Sequence, residues 1–291
     1  MKTRKFFSMI TDITAIFLFT YLLIYPQYAT EPTRYALEFC AKTLIPSLFI
    51  YMVLAKIVIT LPITKWLIKI FGLESVVLIT GTLCGCPVGA KTAVTLYESK
   101  KITKKHAEYL CSFTNNASLS FVLGFVGKEL FGDIRVGLRL MIYQLIASAA
   151  TALFMKFILF GKEKIPSFSA VRSEKTGLRE AVADSAMTMI NLCACVVFFM
   201  VAGGVISHLA NLTPFWEAIL KSLLEFSSGC AEAIDTGKYA IPITAFALSQ
   251  TGFSVALQVR SVISGKLAFM PYLTGKAISC IIMTGLAIIF G

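Results

Sequence analysis

The stretch Gly81–Lys91, "GTLCGCPVGAK", lies where the apolar sequence on either side calls for a membrane helix, yet it carries three glycines and a proline within nine residues. Glycine is costly inside a helix, and proline removes an N–H and clashes with the preceding turn, so an uninterrupted helix is excluded here. Leu73–Leu83 before the break and Val88–Glu98 after it are each about half a membrane thick at ~1.5 Å per residue. The pattern predicts two half-helices joined in a re-entrant hairpin. In hydrocarbon an unpaired main-chain N–H or C=O is too costly to leave exposed, so such a break survives only inside protein or beside a wet cavity.

Pro87 suits the first turn of the second half-helix, where its missing N–H is not needed. The N–H groups of Val88 to Lys91 are then left at the positive end of the helix dipole, and Lys91 adds a full charge within a turn of the break. These features describe a site for an anion. A second reading stands beside it: Lys91 snorkels to the surface or pairs with an acid such as Asp235 or Glu225.

The surrounding sequence supports a membrane setting. Hydrophobic residues make up 57% of the 291 and charged residues 15%, with a mean hydropathy of +0.78, more apolar surface than one soluble core can bury. Phe6–Tyr25, Leu37–Thr60, Arg135–Phe160, Leu178–Leu209 and Leu267–Phe290 are near or above the ~20 residues a spanning helix needs. The basic Met1–Lys5 end resembles the start of a signal peptide, but the apolar run after it is too long, so an uncleaved first helix is expected. The net charge of +11 is read as cytoplasmic loop lysines and arginines, not as a nucleic-acid surface. Candidate cytoplasmic positions are the N-terminus, Lys100 to Lys105, and Gly161–Glu180.

Only Gly161–Gly177 reads as a linker, and it falls near the middle of the chain. The expected organisation is an N-terminal membrane helix (1–33), a first repeat (34–160), a cytoplasmic linker (161–177) and a second repeat (178–291). Each half begins with a long apolar helix and continues through an amphipathic piece bearing Trp66 or Trp216. A Gly-Cys break follows, Gly85-Cys86 or Gly229-Cys230. A polar cluster in apolar sequence comes next, Phe113–Phe121 "FTNNASLSF" or Leu248–Val255 "LSQTGFSV", and a spanning helix closes the half. Asn115, Asn116 and Ser118 in the first cluster, and Gln250, Thr251 and Ser254 in the second, can hydrogen-bond a polar ligand or simply hold helices together. Gly252 marks a further break or a close backbone approach.

The candidate substrate-binding set is therefore Gly85, Pro87, Gly89, Lys91, Asn115, Asn116, Ser118, Ser228, Gly229, Gln250, Thr251 and Ser254. Eight cysteines without a CxxC pair read as reduced packing residues, with no metal site expected. No HExxH, GxSxG or P-loop occurs, and His106 and His208 have no evident acid or nucleophile beside them. Neither enzymatic activity nor a cofactor is expected. The expected partners are a small-molecule anion or nucleoside and membrane lipid, with a homo-oligomer open.

The run Gly85–Gly127, "GCPVGAKTAVTLYESKKITKKHAEYLCSFTNNASLSFVLGFVG", resembles the signature of sporulation integral membrane proteins of the YlbJ type, and "LEFSSGC" (Leu224–Cys230) and "LSQTGFSVALQV" (Leu248–Val259) are similar to that family's second motif pair. The likeness runs from about Arg34 to the C-terminus and departs from the family's pattern at Ala117-Ser118-Leu119. It implies an all-α polytopic membrane protein of two pseudo-repeated halves with broken helices, in the nucleoside-recognition or Gate-domain group that shares architecture with concentrative nucleoside transporters. It further implies the cytoplasmic membrane or outer forespore membrane of a spore former, and a transporter or facilitator for a small organic anion, the dianion dipicolinate being the substrate suggested. Nucleoside transport is the alternative, and a scaffold role in the spore envelope is the alternative outside transport.

Overall fold

A computed structural model describes residues 2–58, 61–161 and 177–291, and every regular element among them is helical. In chain order these are α1 (Lys2–Ile24), α2 (Gln27–Phe39), a π-helical turn (Cys40–Leu44), α3 (Ile45–Val58), α4 (Pro62–Phe71), α5 (Leu73–Cys84), α6 (Val88–Glu98) and α7 (Lys104–Phe113). A second π-helical segment (Phe121–Leu130) leads to α8 (Ile134–Phe160). After the expected linker, whose residues 162–176 lie outside the described residues, come α9 (Leu178–Ala210), α10 (Pro214–Leu224) and α11 (Phe226–Ala233). A 3-10 turn (Ile234–Tyr239), α12 (Ala240–Gln250), α13 (Gly252–Ile263) and α14 (Met270–Phe290) complete the chain.

Among the described residues, α8, α9, α14 and the helical run Phe226–Ile263 are long and apolar enough to cross a membrane. The pair Gln27–Leu44 and Leu48–Leu54, bent by 50°, makes a fifth if taken as one span. Phe157, Ile281 and Ile289 point outward and are exposed, which a bilayer tolerates and water does not. This is an integral membrane protein, and its interior holds the interrupted pieces.

The hairpin at Gly81–Lys91 is present. α5 packs on α6 across a non-helical Gly85–Pro87 tip, and Gly85 sits at φ 80°, ψ 176°, a conformation open to glycine and strained for other residues. The first polar cluster is unwound from Thr114 to Ser118, and the second is broken at Thr251 (φ 62°) and Gly252 (φ 76°), where Gly252 was expected to mark an interruption.

The second Gly-Cys pair behaves otherwise. Gly229 and Cys230 lie inside α11, and the chain turns four residues earlier at Glu225, whose backbone is extended at φ −147°, ψ 116°. Gly229 is needed for contact: a Cβ there would lie 2.3 Å from Ser222 Oγ on α10. Small size in this hairpin serves close helix packing, and the acidic residue makes the bend.

α14 packs against α7, α8 and α12. Its approach to α7 is close, since a Cβ on Gly275 would stand 2.0 Å from the Ser112 carbonyl oxygen. His106 is buried within α7 and places Nε2 3.0 Å from Glu74 Oε1, fastening α7 to the start of α5. The acid partner for His106 is thus 32 residues away in sequence.

Gly275→Ala should lower the melting temperature of the purified protein, by overpacking of order 1–3 kcal/mol. Gly285→Ala on the same helix, where an added Cβ has no atom within 4 Å, should be neutral. Equal melting of the two variants in detergent would contradict the close α7–α14 contact.

Candidate functional site

The interruptions meet around a cavity of about 410 Å³, counting the space at its mouth that is open to solvent. Gly85 and Cys86 come from the first hairpin tip, Ala117 and Ser118 from the unwound segment, Glu225 and Phe226 from the second tip, and Ser254, Val255 and Gln258 from α13. Leu44, Leu48, Leu192 and Val196 close it with apolar side chains from the long helices. Of the residues picked from sequence, Gly85, Ser118 and Ser254 border this space.

Glu225 is the chemically distinctive wall residue. It is fully buried and caps α11: Oε2 accepts the Ser228 N–H at 2.9 Å and the Ser227 hydroxyl. Oε1 has no hydrogen-bond partner among the described residues. Gln258 Oε1, on another wall residue, is likewise buried and unpartnered among them, while its Nε2 reaches Ser254 Oγ at 3.5 Å. Ser118 Oγ accepts the Phe121 N–H at 3.1 Å and lies 3.3 Å from Ser120 Oγ. The wall therefore presents spare acceptors, and neither lysine nor arginine borders it.

The asparagines work on the protein itself. Asn115 Oδ1 accepts the Ala90 N–H at 2.8 Å, filling part of the α6 N-terminus, and its Nδ2 donates to the Cys111 carbonyl at 2.9 Å. The Lys91 N–H donates to the Pro87 carbonyl at 3.1 Å. Gly89 lies against Thr114, whose carbonyl oxygen would be 2.3 Å from an added Cβ. Of the expected row of free N–H groups, those of Val88 and Lys91 are thus taken by the Gly85 and Pro87 carbonyls and that of Ala90 by Asn115. Asn116 is equally occupied, accepting from Ser148 Oγ at 3.0 Å and donating to Thr82 Oγ1 at 3.3 Å.

Three consecutive carbonyls of the unwound segment each receive a side-chain donor from a different element. Lys276 of α14 donates to Asn115 at 2.5 Å, the Cys86 thiol to Asn116 at 3.1 Å, and Gln144 of α8 to Ala117 at 3.0 Å. Gln144 Oε1 also accepts the Ala117 N–H at 3.2 Å, so one amide completes both main-chain groups of that residue. The buried carbonyls that made the break improbable in hydrocarbon are thereby satisfied one by one.

Lys91 sits at the edge. Its ammonium lies 2.5 Å from Asp184 Oδ2 on α9 and donates to Thr188 Oγ1 at 3.2 Å, with the Lys91 side chain 29% exposed. The acid it meets is neither Asp235 nor Glu225. Pro87, Gly89, Asn115, Asn116, Ser228, Gly229, Gln250 and Thr251, also picked from sequence, are not among the residues that line the cavity. Gln250 donates to the Ser222 carbonyl and accepts the Gly252 N–H at 2.9 Å, clamping α12 to α10 across its own break.

Gln258, Gln144 and Lys276 lie outside the residues picked from sequence, and Glu225 is named there as an acid for Lys91, not as a substrate-binding residue. The signal for Lys276 was there, since it is the one charged residue in Met270–Phe290 and charge in a span is costly. Gln144 and Gln258 carried a weaker form of the same signal.

No family model matches the chain, and no solved structure matches it. The chain is similar to the sporulation integral membrane protein YlbJ of Bacillus subtilis (strain 168), with 22% identity over 330 aligned residues that cover 95% of this chain and 81% of that protein. The chain is therefore an integral membrane protein similar along nearly its whole length to a sporulation integral membrane protein.

Proposed function

We propose that the chain is a membrane transporter or facilitator for a small polar organic molecule, bound in the cavity between the two hairpin tips, and that it is built from two structural repeats of the Gate-domain kind. The order of elements supports the repeat. A hairpin (α5–α6, then α10–α11) is followed by an interrupted helix (α7 with Phe121–Leu130, then α12–α13) and a closing span (α8, then α14). Packing is reciprocal: α6 lies on α13, and α11 on Phe121–Leu130, so each hairpin touches the far arm of the other half's interrupted helix. Discontinuous helices of this kind frame substrate sites in many transporters.

The observation that carries the reading is that two residues bordering the cavity, Glu225 and Gln258, each keep a buried oxygen, Oε1, without a hydrogen-bond partner among the described residues. A buried acceptor left unmade costs about 1–3 kcal/mol, and a ligand bearing N–H or O–H donors recovers it. Nucleosides have such donors on ribose and base, and they are the substrate class this wall chemistry fits best. A small organic anion such as dipicolinate is the second reading, favoured by the likeness to a sporulation protein. A dianion beside Glu225 would have to enter with protons, because Lys91 is held by Asp184 outside the cavity.

Two outcomes are expected in proteoliposomes. Uptake of labelled uridine or adenosine should be saturable, and Glu225→Ala should lower it roughly tenfold or more, the equivalent of ~1.5–3 kcal/mol for a hydrogen bond to a charged group, at unchanged protein level. Uptake of dipicolinate alone, without competition by nucleosides, would select the anion reading; uptake of neither would remove transport and leave the scaffold role. Lys91→Ala, which breaks a part-exposed ion pair worth about 0–1 kcal/mol, should change uptake less than about fivefold, and a complete loss would place Lys91 on the substrate.

A further inference from the structure

Lys276 is only 8% exposed, and its ammonium donates to two main-chain carbonyls, Asn115 at 2.5 Å and Ser249 at 3.1 Å. Ser249 lies in the last turn of α12, and Asn115 lies two residues past the end of α7, in the unwound segment. α7 stops at Phe113, where the chain unwinds, and α12 stops at Gln250 before the left-handed Thr251. A helix C-terminus carries roughly half a negative charge on carbonyls left without an intrahelical donor. Here the ammonium meets such a carbonyl at the end of α12 and a main-chain carbonyl of the unwound segment that follows α7. In membrane proteins with discontinuous helices, carbonyls of this kind are where a free monovalent cation is coordinated. Here that place is taken by a covalently attached ammonium. Its placement is built in, because Gly275, one residue before, lets the α14 backbone lie directly against Ser112 of α7.

We propose that Lys276 is a tethered cation occupying a two-carbonyl site that a free monovalent ion would otherwise take, so that the two interrupted helices are locked together without bound sodium or potassium. The inference stands whether or not the chain moves a solute, and its readout is stability.

Wild-type protein in detergent should melt at the same temperature in sodium, potassium and N-methylglucamine chloride at equal ionic strength. Lys276→Met should melt lower and recover part of the loss, saturably, with added sodium or methylammonium at constant ionic strength, a response the wild type lacks. Lys276→Gln keeps a donor and loses the charge, so it should also melt below wild type. Saturable stabilisation of the wild type by sodium would overturn the proposal. So would a Lys276→Met protein that no small cation restores, or a Lys276→Gln protein as stable as wild type. If Lys276→Met does not accumulate, the wild-type salt series and Lys276→Gln decide by the same criteria.

Discussion

The structure depends on the satisfaction of main-chain carbonyls where no water is available. Five residues, Thr114 to Ser118, leave the helix inside an apolar protein, and each exposed peptide group there must find a donor. The donors come from three elements distant in sequence: an ammonium on α14, a thiol at the first hairpin tip and an amide on α8. The unwound segment is therefore a tertiary product, stable only when α8, α14 and the first hairpin are all in place. The tight contacts at Gly81, Gly89 and Gly275, which bring these elements within reach of Thr114 and Ser112, follow from the same requirement.

This dependence explains how much could be read from the chain alone. The spans α8, α9 and α14, the first hairpin and the positions of both polar clusters were legible because they rest on local composition: long apolar runs, a glycine-proline break, amides in hydrophobic surroundings; the interrupted run Phe226–Ile263, which is also long and apolar enough to span, was not. What the amides do was not legible. Asn115 bonds Ala90 and Asn116 bonds Ser148 through pairings 25 and 32 residues apart, and no spacing rule announces them. The same holds for Lys91, whose acid, Asp184, lies 93 residues on, past the linker. The second break was misplaced because glycine was taken as the sign of a bend, whereas Gly229 serves contact with Ser222 and Glu225 bends the chain.

The cavity has a buried acidic residue, Glu225, in its wall, although the strongest sequence signal nearby was a lysine. Charge near a break does not define the chemistry of the void beside it. That chemistry is set by whichever polar atoms the helix pairing leaves unused, here Glu225 Oε1 and Gln258 Oε1. Glu225 is tied to the order of the hairpin as well, because its other oxygen caps α11.

The long helix α9 gives a scale of depth. Its 33 residues make a rod of roughly 50 Å at ~1.5 Å per residue, longer than a hydrocarbon core of ~30 Å. Leu192 and Val196, which close the cavity, sit near the middle of that rod, whereas Asp184 lies about two turns, or ~12 Å, closer to its N-terminal end. The acceptors and the Lys91–Asp184 pair thus occupy different levels, one near mid-depth and the other toward the hydrocarbon boundary. Under the proposed transport function, a solute entering along α9 from that side would pass a neutralised charge pair before it reached the level of the cavity.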